Sequence, residues 1–169
     1  FSTTGERFLS GTFFDLSAPG RRDGVLHAVY GGVYGRKNPR VLAPHPATGD
    51  LLPVLSHLGP AAPSGIVMPQ SSATGLGGDL ICTEFNTRRL SRHQLSHAGS
   101  SFESKVSTFL ESDQTDFHPT DVIEDADASL LVADTGSWYK ICCPTSKIAK
   151  PDILGAIYRL KKKDVAQVE

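Results

Sequence analysis

DFHPTDVIEDADASLLVADTGSWYKICCPTSKIAKPDILGAIYRL, residues 116–160, decides the fold. It holds three short apolar runs, 121–124, 129–133 and 155–160. An acidic turn separates the first two, and a polar loop with Trp138 and the adjacent Cys142 and Cys143 separates the last two. Short runs rich in Val, Ile and Leu, bounded by Asp, Gly and Pro, predict β-strands. Three in succession predict an antiparallel meander.

Working outward, the same pattern returns. GERFLSGT (5–12), GGDLICTE (77–84) and DASLLVAD (127–134) each run from turn residues through a polar position to large apolar residues and then small or polar ones. Upstream, PSGIVM (63–68) matches PTDVIE (119–124); downstream, NTRRLSRHQL parallels LGAIYRLKK. Repeats of about 40–50 residues built from short strands point to propeller blades. A single four-stranded sheet cannot bury both faces, so blades stack around an axis. The expected fold is all-β, a partial β-propeller of antiparallel meanders with about three blades; a plain β-sandwich is the alternative. Further strands are predicted over 5–16, 23–34, 89–95 and 102–109, with a turn-rich link over 71–78. Residues 35–63 carry too many Pro and Gly for a helix and are predicted to form one long connection.

The 169 residues, 39% hydrophobic and 21% charged, fit one globular domain. A net charge of −1 supplies no field for nucleic acid or an anionic membrane. No apolar stretch is long enough for a helical membrane span. The opening FSTTGERFLSGTF reads as mid-strand, so a piece of a longer protein is expected, with 1–161 as propeller and 162–169 as a tail or linker.

The runs PSGIVM, GGDLICTEFNTRRLSRHQL, FHPTDVIEDADASLLVADTGSWY and GAIYRL resemble the later blades of the glucose/sorbosone dehydrogenase-like β-propellers. They are most similar to the membrane-bound dehydrogenase domains of large bacterial proteins that also carry a haem c module. The resemblance covers residues 30–161 and implies a propeller of about six blades, of which this chain holds about three. It also implies sugar oxidation with pyrroloquinoline quinone, electrons passing to a haem c module outside this chain, and a periplasmic or cell-surface location. Basic residues hold the quinone's carboxylates in the quinone-dependent members, because buried carboxylates need cations. Those members have a Lys where Asn86 stands and Arg residues near His118 and Thr120. Here these cations are missing, and only Arg88 or Arg89 could substitute. The family's catalytic His has no recognisable match, so no catalytic residue is assigned. The competing reading is a non-catalytic propeller that binds carbohydrate or a protein partner.

Local chemistry singles out His118, Asp121, Asp134 and Trp138, placed by the predicted meander at one end of two strands. Carboxylates there could accept sugar hydroxyls and Trp138 could stack on a sugar ring. The bland alternative is that the acids cap turns. Tyr34 and Arg36, with Lys37 and Asn38, follow a Gly-Gly turn and form a second candidate cluster. Asp125, Asp127 and Ser129 resemble the start of a calcium loop but lack its Gly and distal Glu, so a hairpin turn is the better reading. Family members have Gly where Ala128 and Ser137 stand. The six His have no zinc-type spacing and no Cys-x-x-Cys-His motif occurs, so no metal is expected. Cys142 and Cys143 could form a strained vicinal disulfide or remain as thiols beside Cys82.

Overall fold

A computed structural model describes residues 1–12, 14–15, 18–35, 40, 43–46, 48–137, 150 and 152–163. Among them, ten strands form three antiparallel sheets. The first sheet has the order β1 (Phe8–Gly11), β2 (Asp23–His27) and β3 (Ser56–Gly59). The second is β4 (Pro63–Val67), β5 (Leu80–Glu84), β6 (Arg89–Ala98) and β7 (Ser101–Glu111). The third is β8 (Pro119–Glu124), β9 (Leu130–Asp134) and β10 (Ala156–Leu160). Two single-turn 3-10 helices, Pro19–Arg21 and Ser72–Thr74, complete the named elements. The fold is all-β, a partial β-propeller, and the predicted meander of residues 116–160 is the third sheet.

The repeat is visible in the register. Pro63 of β4 faces Glu84 and Ile66 faces Cys82, with a bulge between. Pro119 of β8 faces Asp134 and Val122 faces Val132, again with a bulge between. Proline suits the first position of a strand, where no ladder donor is needed. Short links, 60–62 and 112–118, carry β3 into β4 and β7 into β8. β3 therefore occupies the place of β7, the last strand of a blade, and β1 the place of β5 and β9. The described strands thus supply the second to fourth of one blade, all four of the next and the first three of a third.

Strand alternation sends successive side chains to opposite faces, and each face of the middle sheet has its own core. Leu80 and Cys82, with Ile66, pack against Phe8, Val25 and Leu58 of the first sheet. Ile81 and Leu90, with Val67, pack against Val122, Leu130 and Val132 of the third. This is why β5 is buried at every position. Gly65 lets the innermost strands approach: a Cβ there would stand 2.5 Å from the Asp121 Cα. The Glu124 carboxylate, which accepts from the N–H groups of Gln70 and Ser71 at 2.6 and 3.0 Å, ties the third sheet to a loop of the second.

The structure corrects several expectations. The stretch 35–63 is not one connection, because β3 lies inside it; SHLG is too short and too polar to signal a strand before its partner β2 is known. The predicted strand over 5–16 contracts to Phe8–Gly11, that over 23–34 to Asp23–His27, and residues 1–7 are not strand. β6 and β7 run longer than predicted, since polar residues such as Gln94 and Lys105 are tolerated in a ladder with solvated faces. The turn at 125–129 is a hairpin: the Asp125 N–H donates to the Ser129 carbonyl at 2.8 Å, and Ala128 is left-handed at φ 62°. At the other departure from the family's Gly, the left-handed residue is Gly136 at φ 59°, beside Ser137.

Candidate functional site

The antiparallel order fixes which loops share an end. The ends of β5 and β9 and the starts of β4 and β8 lie together, so residues 85–88 and 135–137 meet the links 60–62 and 112–118. Loops 28–55, 68–79 and 125–129 lie at the opposite end.

The first end is built around His118, which is 4% exposed. Its Nδ1 lies 2.6 Å from the Gly136 carbonyl and 3.2 Å from that of Asp116. Carbonyls only accept, so Nδ1 carries the proton and donates. The backbone N–H groups of His118 and Gly136 both donate to Asp134 Oδ1, each at 2.8 Å. Phe85, from the β5–β6 hairpin, stacks on the imidazole at 4.6 Å between ring centroids. His118 and Asp134 do come together, but as a brace for the loop rather than as open binding groups. Asp121 sits beside them on the innermost strand, exposed, its Oδ1 accepting from the Val122 N–H at 2.9 Å.

Around that brace lie groups closer to solvent. Asp116 accepts from Lys150 Nζ at 2.7 and 3.0 Å and from the Ser137 hydroxyl. Those donors, Lys150 first, lower the Asp116 pKa below the usual carboxylate value. Arg88 closes the 85–88 hairpin with a left-handed backbone at φ 57°, costing a non-glycine residue roughly 1 kcal/mol. Its carbonyl accepts from the Ser112 N–H, and its Nε is buried without an acceptor among the described residues. Arg89 is committed elsewhere, its Nε 2.7 Å from the fully buried Glu84, whose Oε2 also accepts from Thr87 at 2.6 Å.

The remaining candidates separate from this end. Tyr34 lies in loop 28–55, at the far end of the sheets, and its hydroxyl bridges the His27 carbonyl at 2.5 Å and the Val29 N–H at 3.0 Å. It fastens its own loop. Arg36, Lys37, Asn38, Trp138, Cys142 and Cys143 lie outside the described residues, and the vicinal disulfide with them. Cys82 is a buried thiol whose pKa is raised to about 12 by desolvation and then by Glu84. Asp125 and Asp127 are engaged by Arg159 at 2.6 and 3.1 Å, and Asp127 also by Lys161 at 2.8 Å. Cations in that position oppose a calcium loop, and no metal-type cluster occurs among the described residues.

Residue-by-residue reading missed Asp116, Lys150 and Phe85. The repeat held one usable signal: Glu84 and Asp134 occupy the same place in successive blades, each facing a strand-opening proline.

The positions that hold a quinone's carboxylates in the resembling family do not fit that group here. The Asn86 amide donates to the Pro60 carbonyl at 3.2 Å and the Thr120 hydroxyl to the Ala133 carbonyl at 3.3 Å. Of the cations discussed at this end, only Arg88 has a side-chain nitrogen buried without an acceptor among the described residues.

No known protein-family profile matches the chain, and no curated protein matches it. Among solved structures it is similar to a Thermus thermophilus protein provisionally assigned as an oxidoreductase (glucose dehydrogenase). The TM-score is 0.58 at 22% sequence identity, over 94% of this chain. The chain spans 41% of the length of that structure, so the likeness establishes a glucose dehydrogenase-like fold.

Proposed function

We propose that this chain is part of a sugar dehydrogenase-like β-propeller that acts on or binds carbohydrate at the His118 end. The observation that carries this is the fold: three consecutive sheets match a solved protein assigned as a glucose dehydrogenase along nearly the whole chain. Arg88, the Asp116–Lys150 pair, Asp121 and Trp138 are the groups we assign to the ligand, with His118 and Asp134 bracing the turn at Gly136 beside them. Residues 1–161 form, in this reading, the propeller portion and 162–169 a tail or linker. In this reading the remaining blades and a haem module lie outside the chain, which works in the periplasm or at the cell surface. The chemistry expected of the whole protein is hydride or electron removal from a sugar hydroxyl, and no residue is assigned as its base. The His118 Nδ1 proton faces carbonyls and Asp134 caps two N–H groups, so both are positioning groups.

A second reading, a non-catalytic propeller that binds carbohydrate or a protein, is favoured by the engaged Asn86 and Thr120. Dye-linked oxidation of sugars by the full-length protein, with and without added quinone, separates the two. Oxidation without added quinone supports the enzyme reading. Sugar binding without turnover in either condition supports the second. Turnover that appears only with quinone would show that Arg88 and residues outside this description suffice to hold it.

A further inference from the structure

At the opposite end of the sheets from His118, three segments far apart in the chain meet in a hydrogen-bonded row of Glu6, His27 and Ser101. His27, the last residue of β2, is 7% exposed. Its Nε2 lies 2.8 Å from Glu6 Oε2 and its Nδ1 3.1 Å from the hydroxyl of Ser101, the first residue of β7. A carboxylate only accepts, so in the neutral imidazole Nε2 carries the proton and Nδ1 presents its lone pair. The Ser101 hydroxyl must then donate to Nδ1, the direction in which a histidine takes a proton from a nucleophile. Each member is held from behind: Ser2 Oγ accepts from the Glu6 N–H at 2.9 Å, the Tyr34 hydroxyl donates to the His27 carbonyl, and Ser101 pairs with Ala98 in the ladder. Beside the serine stands a wall of rings. His27 meets Phe8 at 5.4 Å and Phe102 at 5.0 Å between centroids, and Phe102 carries the exposed His97 at 4.7 Å.

We propose that Ser101 is a nucleophile, served by His27 and Glu6, that takes the acyl group of a small carboxylic ester resting on the Phe102 and His97 rings. The order carboxylate, imidazole, hydroxyl is that of a serine-hydrolase triad, which is recognised by geometry and roles rather than by fold. The two ring nitrogens are exchanged relative to the commonest arrangement, and either nitrogen of a neutral imidazole can act as the base. In the first step the Ser101 Oγ–H bond breaks, its proton passes to Nδ1, and Oγ bonds to the ester carbonyl carbon. The ester C–O bond then breaks, and the leaving alcohol takes the proton from Nδ1. Water, giving a proton to Nδ1, attacks the acyl-serine; the carboxylic acid leaves and that proton returns to Ser101. Glu6 touches neither the ester nor the serine and is a positioning residue, stabilising the imidazolium of each step. Ser101 is half-buried and the adjoining turn residues Gly99 and Ser100 are exposed, so the hydroxyl lies at the surface rather than in a core. The site shares no residue with the His118 end and stands apart from the sugar reading.

Labelling with a fluorophosphonate, followed by peptide mass mapping, reads the nucleophile directly, and release of 4-nitrophenol from 4-nitrophenyl acetate reads the acylation rate. One adduct per chain is expected, on Ser101, lost in Ser101→Ala and kept in the neighbouring Ser100→Ala. His27→Gln should slow acylation by about 10²–10⁴-fold, the usual contribution of a general base. Glu6→Gln, at a half-exposed position, should slow it by about tenfold or more while leaving the thermal unfolding midpoint in place. A tie serving only the fold would move the midpoint and not the rate. Absence of an adduct on Ser101, or an acylation rate unchanged in either variant, overturns the proposal. Should His27→Gln fail to fold, the rate in Glu6→Gln decides alone.

Discussion

The middle sheet and the third sheet are built to one plan, yet one is buried on both sides and the other on one. β5 reads LICTE and is buried throughout; β9 reads LLVAD and is buried only at Leu130 and Val132. Their apolar patterns are nearly the same, so the difference comes from what neighbours each sheet. Burial in a stacked fold is a property of position in the stack, and a strand's sequence specifies only which faces are ready for it.

Truncation of equivalent residues breaks the comparison most sharply. Ile81→Ala, in a fully buried site, should cost about 2–5 kcal/mol, while the equivalent Leu131→Ala should cost well under half of that. Urea unfolding of the two variants checks it; equal losses would mean that the third sheet is covered in solution.

A smaller effect comes from the polar part of the interface between the first and second sheets. His93 is 0% exposed, its Nδ1 3.0 Å from the Ser56 hydroxyl and its Nε2 3.0 Å from that of Ser91. Desolvation lowers its pKa to about 4, with Glu84 raising and Arg89 lowering it further down the order. Between about pH 6.5 and 4 the unfolded chain binds a proton there and the folded chain does not. Stability contributed by neutral His93 is therefore full above pH 6.5 and falls with pH toward 4, by up to about 3 kcal/mol. Unfolding free energy measured across that window, with His93→Gln as the reference, should show the slope in the parent alone.

Gly155→Ala tests the loop that distinguishes the third sheet. A Cβ at Gly155 would lie 1.9 Å from the Asp134 carbonyl oxygen, whereas one at Gly20 meets nothing within 4 Å. The first substitution should cost roughly 1–3 kcal/mol and the second almost nothing, read as midpoint shifts in thermal unfolding. Ala128→Gly is the smallest expected change. Relief of the left-handed backbone, offset by the greater freedom of glycine when unfolded, should leave a gain of up to about 1 kcal/mol in the same assay.

Strands β4, β5, β8, β9 and β10 were legible because their apolar runs are bounded by breakers and repeat in pairs. β3 was not, since SHLG acquires its strand character from β2 across the ladder. The candidate site was legible only as a neighbourhood. His118 and Asp134 could be placed at one end of a meander, but no pattern says that the imidazole faces a carbonyl or that the carboxylate caps two N–H groups. Tyr34 reads in the sequence as part of a second candidate cluster, and the direction of β2 puts it at the opposite end from His118 and Asp134.

By itself the sequence determined the all-β class, the blade repeat and the hairpin turn at 125–129, because alternation, turn residues and spacing are local properties of the chain. Tertiary structure alone decided which face of each sheet is covered, which end each loop joins and which charges are engaged. Those depend on distances between segments far apart in the chain, such as Glu124 with Gln70 and Asp116 with Lys150.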